Sequence, residues 1–148
     1  MSHLIEELTL DSELTYKIIG CAMSVHRALG NGFQEVIYQR ALVVEFDAVG
    51  LNFLREKEID IFYKGFNIGT RRVDFLVEDR IIVEIKATTH LEPAHMAQAI
   101  NYIEAFGFKI GLLLNFGCTS LQYKRVFKSI TKSVNKNMNH NDCHKTIF

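Results

Sequence analysis

The sequence predicts one α/β domain, of the α+β kind, in which helices flank a central mixed β-sheet. Two segments with apolar residues at helical spacing come first, and three segments with strand periodicity follow. One more helix then leads to two apolar strands, so the predicted order is ααβββαββ. A length of 148 residues, of which 48% are hydrophobic, suits a single core.

The first two helices are predicted from apolar stripes that end at glycine. The first helix ends at Gly30, and its apolar stripe consists of Leu14, Ile18, Cys21, Ala22, Val25 and Leu29. The second helix covers about residues 34–49, and Glu35 heads a stripe formed by Tyr38, Leu42, Phe46 and Val49. A carboxylate on the core-facing side of a helix needs hydrogen-bond donors or a cation, so Glu35 is a candidate ligand.

The remaining elements follow from a change of period after Asn52. Pro93 fits the first position of a third helix that ends near Phe106. The predicted strands are 52–63, 66–77, 81–87, 108–116 and 121–127. We therefore assign residues 14–127 to the domain, residues 1–13 to an N-terminal extension and residues 128–148 to a flexible basic tail.

Composition and charge narrow the class of protein. No apolar run approaches the ~20 residues that span a bilayer, and the first residues do not resemble a signal peptide, so we expect a cytoplasmic protein without membrane contact. The net charge is zero, but residues 1–104 carry ten basic and sixteen acidic residues, whereas residues 105–148 carry seven and one. The basic C-terminal third either contacts phosphate or is a solvated lysine-rich tail.

The candidate site lies on the hairpin formed by the second and third strands. If residues 78–80 form a three-residue loop, Asp74 lies directly opposite Glu84, and both share a face with Arg72 and Lys86. The opposite face then holds only apolar side chains, namely Val73, Phe75, Val77, Ile81, Val83 and Ile85. This pattern is typical of a core face and supports the register.

Two carboxylates that face each other across a hairpin suit a divalent cation. Directly opposed Cβ atoms are ~4.5–5.5 Å apart, where two acids share a proton or hold a cation. Hard oxygen ligands in small number favour Mg²⁺ or Mn²⁺, with water or substrate phosphate in the open positions. The Lys86 ammonium can orient the attacking water or stabilise charge on the phosphate. The alternative is a surface patch in which Lys86 and Arg72 only neutralise Asp74 and Glu84.

Polar residues on the helices point to the same region. His95, Gln98 and Tyr102 fall within roughly 60° of one another on the third helix. Gln98 and Tyr102 form an i,i+4 pair that can hold a phosphate or water, or simply a buried polar contact. Glu35 offers a third carboxylate to the cation, or else accepts a backbone hydrogen bond. His26 is a weaker candidate, for which a structural hydrogen bond is the alternative.

These residues resemble the signature of a known family. The segment Gly32-Phe33-Gln34-Glu35-Val36-Ile37-Tyr38 is similar to the pattern for which the GxxExxY protein family is named. Asp74, then Glu84-Ile85-Lys86, then Gln98 to Tyr102 follow in that family's order. The GxxExxY family belongs by sequence similarity to the PD-(D/E)XK nuclease superfamily, and the resemblance covers roughly residues 14–127.

The resemblance implies a restriction-endonuclease-like core with Asp74, Glu84 and Lys86 as the catalytic trio. Glu35 maps to an additional acidic position, and Val73 stands where the motif has proline, a departure that leaves the ligand geometry unaffected. The implied activity is Mg²⁺-dependent or Mn²⁺-dependent hydrolysis of phosphodiester bonds in nucleic acid.

Substrate and partners follow less directly. We expect DNA rather than RNA as the substrate. The small size leaves specificity to a homodimer or a partner protein. The alternative function is a catalytically inactive module of the same fold that binds nucleic acid or protein.

Overall fold

Residues 1–128, which the computed structural model describes, fold into three helices and five strands in the predicted order. The predicted basic tail, apart from Lys128, lies outside the described residues. The elements are α1 (Ser2–Leu29), α2 (Glu35–Ala48), β1 (Phe53–Tyr63), β2 (Phe66–Val77), β3 (Ile81–Lys86), α3 (Pro93–Phe106), β4 (Ile110–Asn115) and β5 (Gln122–Phe127).

The strands form one mixed sheet in the order β1-β2-β3-β4-β5. Neighbouring strands are antiparallel except β3 and β4, which run parallel and are joined through α3. α1 and α2 pack on one face of the sheet and α3 packs on the other, each over its own apolar cluster. The predicted fold class, a mixed sheet flanked by helices, is confirmed.

The register between β2 and β3 is the predicted one. Val77 pairs with Ile81, and the pairing continues to Phe75 with Val83. The ladder stops there, one residue before Asp74, so the two strands separate at the candidate site.

The turn between β2 and β3 contains no glycine. Glu78 and Asp79 have φ values of 51° and 54°, in the left-handed region that non-glycine residues rarely adopt. Asn52, the residue before β1, offsets the cost of this backbone conformation with two hydrogen bonds. Its carbonyl accepts a hydrogen bond from the Glu78 N–H, and its own N–H donates to the Glu78 carboxylate, both at 2.8 Å.

Val73 does not lie on the same face of the sheet as Phe75, contrary to our prediction. It is buried, but it packs with Ile59 and the α3 cluster, whereas Phe75 packs in the cluster of α1 and α2. Glu56 has a φ of 52°, and the ladder between β1 and β2 lacks the pair of Glu56 with Asp74. Strict alternation therefore fails at this point, and our prediction had assumed a regular strand.

α1 begins at Ser2, although the sequence pattern indicated a helix only near Leu14. Two ion pairs tie its first half to the rest of the domain. Arg80 contacts Asp11 at 2.8 Å and Lys109 contacts Glu7 at 2.7 Å. Among residues 1–128, no helix is long and apolar enough to cross a bilayer.

The connection after β4 packs directly on the connection after β3. The buried amide of Asn115 accepts a hydrogen bond from the Thr88 N–H at 3.0 Å and donates to the Thr88 carbonyl at 3.1 Å. A Cβ atom on Gly117 would overlap the backbone of Thr88 and Ala87. The two loops therefore fix each other, and they hold the end of β3 that carries Lys86.

We expect Gly117→Ala to lower the free energy of unfolding by about 1–3 kcal/mol, because the backbone of Thr88 would have to move. Gly20→Ala is the control, since a Cβ atom at this exposed position of α1 meets no atom within 4 Å. Replacing a helical glycine should raise the free energy of unfolding by about 0.5–1 kcal/mol. Urea unfolding measures both, and wild-type stability of Gly117→Ala would show that the loops do not touch.

Candidate active site

The two candidate carboxylates lie where β2 separates from β3. The N–H of Ile85 donates to Asp74 Oδ2 at 2.8 Å, and the N–H of Asp74 donates to Glu84 Oε1 at 3.1 Å. Each carboxylate thus accepts a hydrogen bond from the backbone of the opposite strand. The carboxylates replace the carbonyls that the separated strands no longer offer to these N–H groups.

Burial shifts the protonation of both acids. Glu84 is 6% exposed, and burial, followed by the negative charge of Asp74, raises the pKa of Glu84 to about 8. Burial also raises the pKa of Asp74, against the opposing hydrogen bonds from Ile85 and Gln39. The metal-free site therefore holds a proton near neutral pH, which a cation would displace.

Gln39, which our sequence interpretation missed, holds the other oxygen of Asp74. Its Nε2 donates to Asp74 Oδ1 at 2.9 Å, and its Oε1 accepts from Arg55 Nε at 2.7 Å. This chain of hydrogen bonds fixes the orientation of the Asp74 carboxylate. The available signal was spacing, since Gln39 follows Glu35 by four residues and precedes Leu42 by three on the buried stripe of α2.

Lys86, Gln98 and Tyr102 are brought together beside the carboxylates. Lys86 Nζ donates to Gln98 Oε1 at 3.2 Å, and Gln98 lies close enough to Tyr102 to lower the pKa of its hydroxyl. Tyr102 is buried on α3, where burial, followed by the charge of Glu84, raises the pKa of its hydroxyl. The positive charge of Lys86 lowers the pKa of Asp74 and Glu84 and so favours their ionised forms.

Glu35 is exposed at the first position of α2, which corrects its predicted core-facing orientation. The stripe that it heads is buried at Tyr38, Leu42 and Phe46, but the helix begins beyond the edge of that core. The negative charge of Glu35 still contributes to the raised pKa of Glu84. Glu35 therefore lies on the side of the domain where the carboxylate pair is found.

Arg72, which we expected beside the pair, is held by β1 instead. Its guanidinium contacts Glu58 at 3.2 Å and Glu56 at 3.9 Å, and all three side chains are well exposed. Its neighbour Arg71 acts on the site instead, because its positive charge lowers the pKa of Tyr102. The irregularity at Glu56 explains why Arg71 rather than Arg72 acts on the site, because our prediction assumed that side chains alternate regularly along β2.

The two candidate histidines make backbone hydrogen bonds in other parts of the fold. His26 Nε2 donates to the carbonyl of Cys118 at 2.9 Å and so connects α1 to the loop after β4. His95 Nδ1 accepts a hydrogen bond from the N–H of Glu92 at 3.0 Å and caps the start of α3. Both hydrogen bonds are to backbone groups and stabilise the fold.

The donor set fits a divalent cation held by two carboxylates. Among the described residues, no three His, Cys, Asp or Glu side chains are grouped closely enough to hold a metal ion together. Mg²⁺ commonly binds through one or two carboxylates and keeps several waters or substrate phosphates. Asp74 and Glu84, both with raised pKa values and each oriented by a backbone N–H, suit that mode.

Comparison with known proteins gives a match to one family and a set of structural neighbours. A model of the PD-(D/E)XK nuclease superfamily matches residues 12–126. No curated protein matches the chain. The crystal structure of SSO0001 is similar with a TM-score of 0.52 and 17% identity over 66% of this chain, which spans about half (52%) of that protein. An alkaline exonuclease (LHK-Exo) from Laribacter hongkongensis has a TM-score of 0.46 and 13% identity, over 76% of this chain and 79% of its own.

We expect the metal-free protein to lose stability as the pH rises from about 4.5 to about 8. The pKa of Glu84 is about 8 in the fold against an ordinary 4.5, so its stabilising contribution is complete below 4.5 and disappears as the pH rises through 8. The loss should be on the order of a few kcal/mol. Glu84→Gln keeps an acceptor oxygen but cannot ionise, so its stability should vary much less with pH.

Urea unfolding in EDTA across this pH range measures the effect. Glu13→Gln, which changes an exposed acid of α1, should keep the wild-type pH dependence. A Glu84→Gln variant with the same slope as wild type would show that Glu84 does not hold the proton.

Proposed function

We infer the function from the family and the site together: the chain belongs to the PD-(D/E)XK nuclease superfamily. We propose that it is a metal-dependent nuclease that hydrolyses phosphodiester bonds in nucleic acid, with DNA as the expected substrate and Mg²⁺ or Mn²⁺ as the expected ion. The observation that supports this most directly is the pair of partly buried Asp74 and buried Glu84, hydrogen-bonded across the separated strands beside Lys86.

Within the superfamily, we place the chain in the GxxExxY family, because the signature residues share a structural purpose. Tyr38 is fully buried, donates to the Gly30 carbonyl at 2.7 Å and accepts from the Phe33 N–H at 3.2 Å. Its ring stacks on Phe116 with centroids 4.5 Å apart. The loop before α2 is thereby anchored, and α2 begins with Glu35 near the carboxylate pair.

The carboxylates would supply the cation-binding groups. Asp74 and Glu84 hold their oxygens in place through Ile85 and the Asp74 backbone, and Gln39 fixes the orientation of Asp74. A cation bound here would polarise the scissile phosphate and lower the pKa of the attacking water. Preorganised ligands need little reorganisation during the reaction, which is a main source of electrostatic catalysis.

Lys86, Gln98 and Tyr102 would act on the phosphate. Gln98 restrains the Lys86 ammonium, which stabilises the negative charge that develops on the phosphate. The raised pKa of Tyr102 keeps its hydroxyl protonated, so it can donate a hydrogen bond to a phosphate oxygen. The three side chains therefore line the site on the side of α3.

Glu35 is proposed as an outer ligand. Its charge acts on Glu84, although its side chain lies in solvent. It would therefore contact the cation through water rather than directly, which agrees with its absence from a three-residue ligand cluster among residues 1–128. Such outer contacts typically change metal affinity 10–100-fold.

We expect purified protein to cleave DNA with Mg²⁺ or Mn²⁺ and to lose this activity in EDTA. Lys86→Met should reduce the cleavage rate by about 10²–10³-fold, because it removes one preorganised charge at the reacting phosphate. It keeps most of the apolar stem and both carboxylates, so the fold and the affinities for metal and nucleic acid should persist. Labelled DNA and RNA strands, assayed side by side, measure the rate and the preference.

Lys17→Met, which removes an exposed lysine of α1, is the matched control and should cleave at the wild-type rate. Wild-type cleavage by Lys86→Met would reduce Lys86 to a counter-ion for two acids. Binding without cleavage by the wild-type protein would support the inactive module instead.

We expect Glu35→Gln to raise the dissociation constant for Mg²⁺ or Mn²⁺ by about tenfold, less than Asp74→Asn, which removes a direct ligand charge. Asp47→Asn is the control, because it changes an exposed acid roughly 18 Å away along α2. Titration calorimetry measures all three variants. Unchanged affinity in Glu35→Gln would remove Glu35 from the site.

A further inference from the structure

The hairpin of β1 and β2 continues well beyond the rest of the sheet. β3 pairs with β2 only from Phe75 to Val77, so residues 57–72 project past the carboxylate pair. We name these residues the projecting hairpin. At ~3.3 Å per residue, its end at Phe66 lies roughly 26 Å along the strand from Asp74. Ile59 and Ile61 pack in the α3 cluster, so this arm is supported by the helix that carries Gln98 and Tyr102.

The end of the projecting hairpin exposes large apolar side chains. Tyr63 is 60% exposed, Phe62 is 52% exposed and Ile68 is 49% exposed. The turn at Lys64 and Gly65 has positive φ at both residues, which closes the strands tightly and presents these side chains at the tip. Several large exposed apolar side chains close to one turn are a feature of contact surfaces.

The charge of the projecting hairpin is positive, although the whole chain is neutral. It contains four basic and two acidic residues. Both acids are engaged within the hairpin, since Glu58 contacts Arg72 at 3.2 Å and Asp60 accepts a hydrogen bond from Thr70 at 3.1 Å. Lys57, Lys64 and Arg71 carry the remaining positive charge.

Tyr63 and Lys64 form a pair suited to a nucleotide. The Lys64 ammonium lies 5.5 Å from the Tyr63 ring centroid, on one face of the ring. The large exposed fraction of Tyr63 leaves ring surface on which a base can stack, with the ammonium close enough to contact its phosphate. Two copies of a positive tip would repel each other, whereas nucleic acid satisfies both the ring and the charge.

We propose that the tip of the projecting hairpin binds an unpaired segment of the substrate, with a base stacked on Tyr63 and a phosphate near Lys64. This rests on the proposed nuclease function. It assigns to the arm the capture of single-stranded nucleic acid at a distance from the cleavage site. Blunt duplexes offer few free base faces and therefore gain little from the tip.

The chain contains no tryptophan, so Tyr63→Trp introduces a single fluorescent reporter. Titration in EDTA with an unpaired strand of about 15 nucleotides should quench its fluorescence in a saturable manner. Tyr16→Trp is the matched control, because Tyr16 is 77% exposed on α1, and its fluorescence should not change. Heparin, a polyanion without bases, should leave the Tyr63→Trp signal unquenched.

Affinity provides the second measurement. Tyr63→Ala should raise the dissociation constant for the unpaired strand by about tenfold and for a blunt duplex by much less, whereas Tyr63→Phe keeps the ring and should restore the affinity. Equal effects on strand and duplex, or quenching by heparin, would overturn the proposal. The proposal would also be overturned if the fluorescence of Tyr63→Trp is not quenched under conditions in which the anisotropy of the labelled strand shows that it is bound.

The two proposals fail separately. Metal-dependent cleavage without any effect at Tyr63 would overturn the role of the tip and leave the nuclease in place. Stacking at Tyr63 in a protein that cleaves neither DNA nor RNA would overturn the nuclease and leave the binding surface.

Discussion

The separation of β2 from β3 at Asp74 is the constraint on which the site depends. Strand pairing satisfies backbone N–H groups, and two of them, those of Asp74 and Ile85, lose a carbonyl partner when the strands part. Leaving a buried donor unsatisfied costs about 1–3 kcal/mol. The carboxylates of Glu84 and Asp74 accept these hydrogen bonds at 3.1 and 2.8 Å, so the acids complete the backbone of the site as well as its chemistry.

That arrangement places two acids where ionisation is unfavourable. Burial raises the pKa of both acids, and the negative charge of Asp74 raises the pKa of Glu84 further. The backbone hydrogen bonds, Gln39 and Lys86 act in the opposite direction without cancelling the effect of burial. A fold selected only for stability would place apolar residues here, because two neighbouring acids in a low-dielectric site disfavour each other's ionisation. A divalent cation of the kind we propose would offset the repulsion between the two charged carboxylates.

The sequence predicted the elements that depend on local patterns and missed those that depend on distant contacts. The register of β2 against β3 followed from six apolar residues and a short loop, and it is confirmed at Val77 and Ile81. The position of Val73 was wrong, because alternation cannot show an irregularity such as Glu56. Gln39 was missed because its contact with Asp74 joins residues 35 positions apart, which no local pattern encodes.

The separation of β2 from β3 also determines where the projecting hairpin lies relative to the carboxylate pair. Once β2 leaves β3, residues 57–72 have no strand partner on that edge within residues 1–128, and Ile59 and Ile61 pack against α3. α3 carries Gln98 and Tyr102 on the turns that reach the carboxylate pair. One helix therefore carries Gln98 and Tyr102 and also supports the projecting hairpin, and its packing fixes the distance between them. A regular sheet, with β2 and β3 paired along their full length, would have neither the buried acids nor an arm held beside them.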